Sequence, residues 1–215
     1  MEKTLSLGNT IFSNSTTGIA RDIDEIKSEM LRKALHFLIA LAPSMAAINM
    51  AVTVTILIIG TLGYTFMEYL RLSGVRVPVV SSITSMASRQ RDYGRFVMGP
   101  VTLGIGALLA LLLYPSYAAA IAIYALAFGD GIASLAGKFF GKRRPAFLMG
   151  KSIEGSLACF IAVFASAYMV CGNVHIALVA AFTGMVVEAL PLEDYDNLAI
   201  PITVGLAVQF ASVAL

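Results

Sequence analysis

Apolar residues along the chain fall into seven long runs separated by polar connections of two kinds. The runs are Ala34–Asn49, Met50–Leu70, Phe96–Tyr114, Tyr117–Phe139, Ile153–Cys171, Val174–Leu190 and Leu198–Leu215. About 20 apolar residues in a helix cross the roughly 30 Å of a bilayer's hydrocarbon core, and most of these runs reach or approach that length. The pattern predicts an all-α, polytopic membrane protein with about seven transmembrane helices. The first and sixth runs are short, and Ala47-Ile48-Asn49 is the only turn signal between the first two. A six-span arrangement, with the first two fused or one re-entrant, therefore stays open. No internal repeat stands out.

The N-terminal 33 residues read as a separate unit, and residues 34–215 as the membrane domain. Ile19, Ile23, Ile26 and Met30 recur at helical spacing among Arg21, Asp22, Asp24, Glu25, Lys27 and Glu29. Such a helix lies in the membrane interface with its charges toward water. The first dozen residues carry no such pattern and read as a disordered tail. Val79, Ile83 and Met86 repeat the helical spacing in the second-to-third connection and predict another interfacial helix.

The connections set the orientation. Those around Asn49, at Pro115-Ser116 and at Gly172-Asn173 are tiny, whereas Arg71–Arg95, Gly141–Ser152 and Pro191–Asn197 are long and polar. With seven spans the long ones share a side with the N-terminus, and all 15 Lys and Arg residues lie on or nearest that side. The positive-inside rule makes that side cytoplasmic and places the C-terminus outside.

Composition agrees with the pattern: 58% of the 215 residues are hydrophobic and 13% charged, with a mean hydropathy of +0.83. Soluble domains carry about 25% charge. A net charge of +2, with no basic run interleaved with aromatics, gives no sign of nucleic-acid binding. Cys159 and Cys171 share one apolar run and read as packing residues.

Polar residues inside or beside the apolar runs are the candidates for chemistry. Asp130, in Phe128-Gly129-Asp130-Gly131, lies about 20 Å along its run from Tyr117. A carboxylate at that depth is costly and marks a functional site unless a neighbouring Ser or Thr satisfies it. Its flanking glycines permit close backbone approach or a break in the helix. The next segment, Gly137 to Gly155, holds five cations and four glycines. Backbone N–H groups, a helix N-terminus and point charges there suit a polyphosphate, although a positive-inside anchor explains the charges alone. Gly150-Lys151-Ser152 is not a P-loop, because Pro145 stands where the first glycine belongs and no strand precedes it. Glu188 lies at a depth close to that of Asp130, and Asp194 and Asp196 follow. They read as metal or phosphate–metal ligands, or as a solvated loop with Asp196 or Asn197 capping the last helix. Arg32, Lys33 and His36 open the first run, and Glu68 and Arg71 close the second. Interfacial anchoring accounts for them as readily as function does.

Gly129-Asp130-Gly131-x-Ala133-Ser134-x-x-Gly137, Phe140-Gly141-Lys142 and Lys151-Ser152-x-Glu154-Gly155-Ser156 resemble the core of the CTP-dependent lipid kinases. That family includes dolichol kinase, phytol kinase and the CTP-using diacylglycerol kinase of yeasts. Arg32-Lys33-x-x-His36 resembles its opening motif. Glu188-Ala189-Leu190-Pro191 with Asp196-Asn197-Leu198 and Pro201 resembles its closing one. The central block also resembles, more distantly, CDP-diacylglycerol synthase, a phosphatidate cytidylyltransferase. Its downstream His-Gly-Gly run and Asp-Arg pair are absent here.

The resemblance implies an enzyme that moves the γ-phosphoryl of CTP to the hydroxyl of a polyprenol, phytol or diacylglycerol in the bilayer. It implies catalytic roles for Asp130, Lys151 and Glu188, and Mg²⁺ held by Asp130 with Glu188 or Asp196. It implies nucleotide contacts from Arg32, Lys33, Gly137, Lys142, Lys151, Ser152, Glu154 and Gly155. The site would face the cytoplasm. Two other classes stay open: a cytidylyltransferase making a CDP-lipid, and a transporter. Polarity confined to one leaflet disfavours the transporter.

Overall fold

The computed structural model describes residue 30, residues 32–75 and residues 94–214. The interfacial helix expected around Val79, Ile83 and Met86, and all but the last residue of the expected N-terminal amphipathic helix, lie outside the described residues. Among the described residues every regular element is a helix. In chain order they are α1 (32–39), α2 (Ala42–Ile48), α3 (Met50–Leu72), α4 (Gly99–Leu113), α5 (Ser116–Tyr124), a π-helical turn (Ala125–Asp130), α6 (Gly131–Phe139), a 3-10 turn (Ala146–Leu148), α7 (Ile153–Cys171), α8 (Val174–Ala189), a second 3-10 turn (Glu193–Tyr195) and α9 (Asp196–Ala214).

Among the described residues four helical segments are long and apolar enough to cross a membrane: Met50–Leu72, Ser116–Phe139, Ile153–Cys171 and Glu193–Ala214. The chain is thus a membrane protein by the length and composition of its helices. Helices α4 and α8, at 15 and 16 residues, are apolar but shorter, rising about 22–24 Å at 1.5 Å per residue. The first expected run is not one helix. It breaks at Ala40-Leu41, and Pro43 starts the second piece, where its missing N–H costs nothing. Nor do the first two runs fuse. Asn49 separates them, its side chain accepting from the Val52 N–H at 3.1 Å to cap α3.

The core is apolar, but several polar side chains are buried with it and many large apolar ones face outward. Glu68, Lys33, Asp130, Glu188 and Asn197 are buried, whereas Ile59, Leu62, Phe66, Met169 and Phe210 are exposed. Large apolar side chains facing outward in such number are what a lipid surround permits. The Ser116–Phe139 segment is the hub, largely buried, whereas Met50–Leu72 lies at the periphery and is hardly buried.

Small residues bring the helices together, as is usual where lipid removes the hydrophobic drive between helices. A Cβ on Gly106 of α4 would collide with the Asn197 carbonyl and approach Pro201 of α9. Pro201 lacks the N–H that the Asn197 carbonyl would otherwise receive four residues on, and α4 packs onto that carbonyl. Gly205 gives room to the Tyr114 ring, whose hydroxyl donates to the Ile202 carbonyl at 2.6 Å. Gly104 admits Thr61 of α3.

Glu68, fully buried, ties the end of α3 to the start of α4. It accepts from Arg71 Nε at 2.7 Å, from Arg71 Nη2 at 2.8 Å and from the Val97 N–H at 3.0 Å. Arg71 also donates to the Arg95 carbonyl at 3.0 Å. This is a clamp on the returning chain, not the interfacial anchor that the sequence equally allowed.

Gly106→Ala is expected to destabilise the protein by about 1–3 kcal/mol through overpacking. Gly60→Ala, in the middle of α3 with nothing within 4 Å of the added Cβ, is expected to be neutral or slightly stabilising. Thermal unfolding in detergent compares the two. Equal behaviour would rule out the α4–α9 contact.

Candidate functional site

The π turn carries the first carboxylate. Ala125–Asp130 interrupts the hub helix with wider hydrogen bonding, and such turns are frequent at functional sites. The glycines around Asp130 also serve close packing. A Cβ on Gly129 would reach 2.7 Å from Val163 of α7, and one on Gly131 would reach 2.9 Å from the Phe37 ring of α1. Asp130 is 5% exposed. Its Oδ2 accepts from Lys33 Nζ at 2.6 Å, 97 residues away in sequence. His36 Nδ1 lies 3.1 Å from the same oxygen. Lys33 and His36 sit three apart on α1, so both face the hub helix. The neighbouring Ser or Thr that could have satisfied Asp130 is replaced by a buried cation.

A second pair stands beside the first. Lys151 Nζ donates to Glu188 Oε1 at 2.9 Å and also to the Glu188 carbonyl. It thereby neutralises a buried carboxylate and satisfies one carbonyl in the last turn of α8.

The glycine-rich segment between α6 and α7 folds into a compact staple. Ser152 caps α7, its Oγ accepting from the Gly155 N–H at 3.1 Å. Gly137, Gly141 and Gly155 crowd around that hydroxyl. A Cβ on Gly155 would come within 2.8 Å of the Ala133 carbonyl. Arg144 donates to the Gly150 carbonyl at 2.5 Å and to the Gly137 carbonyl at 2.8 Å. Met149 and Gly150 turn through positive φ, at 47° and 97°.

These elements enclose one cleft of about 420 Å³. Of the residues singled out in the sequence, Arg32, Lys33, His36, Asp130, Gly137, Lys151, Ser152, Gly155, Glu188, Asp194 and Asp196 all line it. Lys142 does not; it is exposed on the staple. Glu154 does not either; it is half-buried beside the staple. Its carboxylate receives the Arg143 N–H at 3.3 Å and holds the staple in place.

Several lining residues carried too weak a signal to be placed in the site from the sequence. Lys138 and Arg144 lay in the basic segment but were not separable from anchoring charges. Ser134, Ser156 and Asn197 belonged to quoted motifs without a role. Tyr64, Val97, Pro100 and Leu103 form an uncharged wall from α3 and the start of α4, and nothing in their local pattern marks them.

The cleft carries charges of both signs. Arg32, Lys33, Lys138, Arg144 and Lys151 come from α1, α6 and the staple, and Glu188, Glu193, Asp194 and Asp196 from the end of α8 and the turn into α9. Among the described residues Ser156 Oγ, Glu188 Oε2 and Asn197 Oδ1 are buried without a hydrogen-bond partner, and His36 Nδ1 has only its 3.1 Å approach to Asp130. All four residues line this cleft. Buried polar atoms are ordinarily satisfied, so their concentration here marks a surface shaped for a polar ligand.

Among the described residues no three His, Cys, Asp or Glu side chains converge to hold a metal ion. These residues therefore form no preformed cage for a resident metal. A Mg²⁺ ion carried in on phosphates needs only one or two carboxylates, and Glu188 Oε2, buried and unpartnered, can serve as one.

No protein-family model, curated protein or solved structure matches the chain.

Removing one partner of a buried ion pair strands the other charge. Lys33→Met alone is expected to cost about 3–5 kcal/mol, and adding Asp130→Asn is expected to return most of that loss. Unfolding of the two single variants and the double variant in detergent completes the cycle. Additive losses would show that the two side chains do not interact.

Proposed function

We propose that the protein is a membrane kinase that transfers the γ-phosphoryl group of CTP to the hydroxyl of a lipid alcohol. The observation that carries this reading is the cleft. Five cations, the capped start of α7 and the carboxylates Asp130, Glu188 and Asp196 share it with an uncharged wall of Tyr64, Val97, Pro100 and Leu103. The first set suits a metal-bound triphosphate, and the second an apolar acceptor arriving from the bilayer. The resemblance of the Gly129–Ser156 block and its flanking motifs to the CTP-dependent lipid kinases narrows the nucleotide to CTP and the acceptor to a polyprenol, phytol or diacylglycerol.

In this reading the seven apolar runs are seven spans, the short helices α4 and α8 included. The charged cleft faces the cytoplasm, the N-terminus is inside and the C-terminus outside. Phosphoryl transfer needs positioning and charge neutralisation more than covalent help. Lys151, Lys33 and Arg32 bind phosphate oxygens, and Ser152 with Gly155 fixes the start of α7 beneath them. Lys33 and Lys151 already neutralise Asp130 and Glu188, so an arriving triphosphate exchanges with those carboxylates for the same cations. Mg²⁺ enters with the nucleotide as part of the substrate and offsets its charge, with Asp130, Glu188 and Asp196 as the carboxylates within the cleft to hold it.

The runner-up is a cytidylyltransferase that joins a lipid phosphate to the α-phosphorus of CTP. The acidic residues of the cleft argue against it. Glu188, Glu193, Asp194 and Asp196 would repel a phosphate acceptor and tolerate a neutral alcohol.

In membranes supplied with a lipid alcohol, label from γ-³²P-CTP is expected in lipid, and label from α-³²P-CTP in soluble CDP. Entry of the α label into lipid with release of pyrophosphate would replace the kinase by the synthase. Lys151→Ala is expected to raise the apparent KM for CTP roughly 10–150-fold, the worth of one charge-assisted hydrogen bond, with little change in the KM for the alcohol. An increase confined to the alcohol would remove Lys151 from the nucleotide site.

A further inference from the structure

Asn197 begins the last helix, 3% exposed, on the wall of the cleft. Both of its amide hydrogens are committed. Nδ2 donates to the Gly99 carbonyl at 3.2 Å and to Thr102 Oγ1 at 3.0 Å. The direction of these bonds fixes the amide. A carbonyl can only accept, and the Thr102 hydroxyl hydrogen is engaged by the Gly99 and Met98 carbonyls at 3.0 and 3.2 Å. Thr102 therefore offers Asn197 a lone pair and not a hydrogen. A flipped amide would set oxygen against oxygen. The Asn197 backbone is held as firmly, because its carbonyl packs on Gly106 below Pro201. What remains is Oδ1, buried and without a partner.

The position of this oxygen identifies what it accepts from. The helix that anchors it, α4, contributes Gly99, Pro100 and Leu103 to the cleft, with Val97 just before, and none of these is charged. Asp196 and Glu188 line the same cleft, and Glu188, whose Oε1 is held by Lys151, has a second oxygen without a partner. A phosphate brings only more acceptor oxygens and negative charge. A neutral O–H brings the hydrogen that is missing, attached to an apolar body that suits the α4 wall. We infer that Asn197 Oδ1 receives the hydrogen bond of the lipid alcohol's hydroxyl, held in register by Thr102, and so selects an alcohol over a lipid phosphate. This rests on the kinase reading for its substrate class and adds to it the residue that recognises the acceptor. Asn197 is a substrate-binding residue and Thr102 a positioning residue.

The test compares ligands that differ only in the O–H. Phytol, geranylgeraniol and dioctanoylglycerol, each with its methyl ether, are titrated onto the purified full-length protein in nanodiscs without nucleotide. The wild type is expected to bind at least one alcohol about 3–10-fold more tightly than its ether, the worth of one neutral hydrogen bond. In Asn197→Leu that ratio is expected to fall to about one while ether binding is unchanged, which also shows that the variant is folded. Should Asn197→Leu not fold, Thr102→Val is expected to shrink the same ratio and Thr102→Ser to preserve it. An alcohol–ether ratio unmoved by these substitutions overturns the inference, as does a wild type that binds none of the three alcohols. So does an effect of Asn197→Leu on the KM for CTP alone, which would place the oxygen against the nucleotide. If the Asn197-dependent preference is found but γ label from CTP never reaches the alcohol, the inference stands and the kinase reading falls.

Discussion

The arrangement depends on the ion pair between Lys33 and Asp130, 2.6 Å apart and nearly excluded from solvent. Neither residue is tolerable alone at that depth, and together they join the first described helix to the hub helix at the π turn. A buried pair is weak evidence for stability, since its desolvation cost rivals its attraction. It is stronger evidence for placement, because the geometry must be right for the pair to exist at all. The shape of the cleft follows from it. Lys33 and His36 on one face of α1 meet Asp130 on one side of the hub, and Gly131 lets the Phe37 ring of the same helix come close enough.

The second constraint is space. Gly106 on α4, Gly129 and Gly131 beside Asp130, and Gly137 and Gly155 around Ser152 each stand where a Cβ would strike a neighbouring helix. The glycines that suggested a nucleotide-cradling loop are thus spent in part on helix approach, and the Gly155 amide is spent on the Ser152 cap. In the proposed kinase, phosphate binding by the segment would then rest more on Lys151, Lys138 and Arg144 than on bare backbone amides.

Much of this was legible in the sequence, and the reasons are physical. Apolar runs of membrane length predicted the helices, because lipid imposes a long continuous signal; Ile153–Cys171 matches its helix end to end. Asp130 and Glu188 stood out because charge is rare in such runs, and their similar depth placed them at one level. Their partners were not legible. Lys33 reaches Asp130 across 97 residues and Lys151 reaches Glu188 across 37, and local pattern carries no information about pairing at that range. The break at Ala40-Leu41 was hidden because the residues on both sides are equally apolar. Glu68 looked like a surface ion pair with Arg71, and its second role, gripping the Val97 N–H, required the fold. Asn197 looked like a helix cap, the ordinary use of Asn at such a position, and its engagement with α4 appears only when the two helices are together.

The pairing of every buried carboxylate in the cleft with a cation has a consequence for how such a site works in a membrane. An unpaired cluster of cations would be costly to assemble between apolar helices, and so would an unpaired cluster of acids. Interleaving the two lets the helices pack first as a nearly neutral unit. A ligand that is itself a metal-bound polyanion carries both signs of charge, so it can take over both halves of each pair at once. Such an exchange leaves no buried charge stranded, whereas a lone anion or a lone cation would satisfy one partner and orphan the other. Under the kinase proposal, a paired cleft would favour a ligand in which cation and phosphate arrive together. The asymmetry of the remaining walls, acceptors at the start of α9 and apolar side chains on α4, leaves a place for a second ligand that has no charge at all.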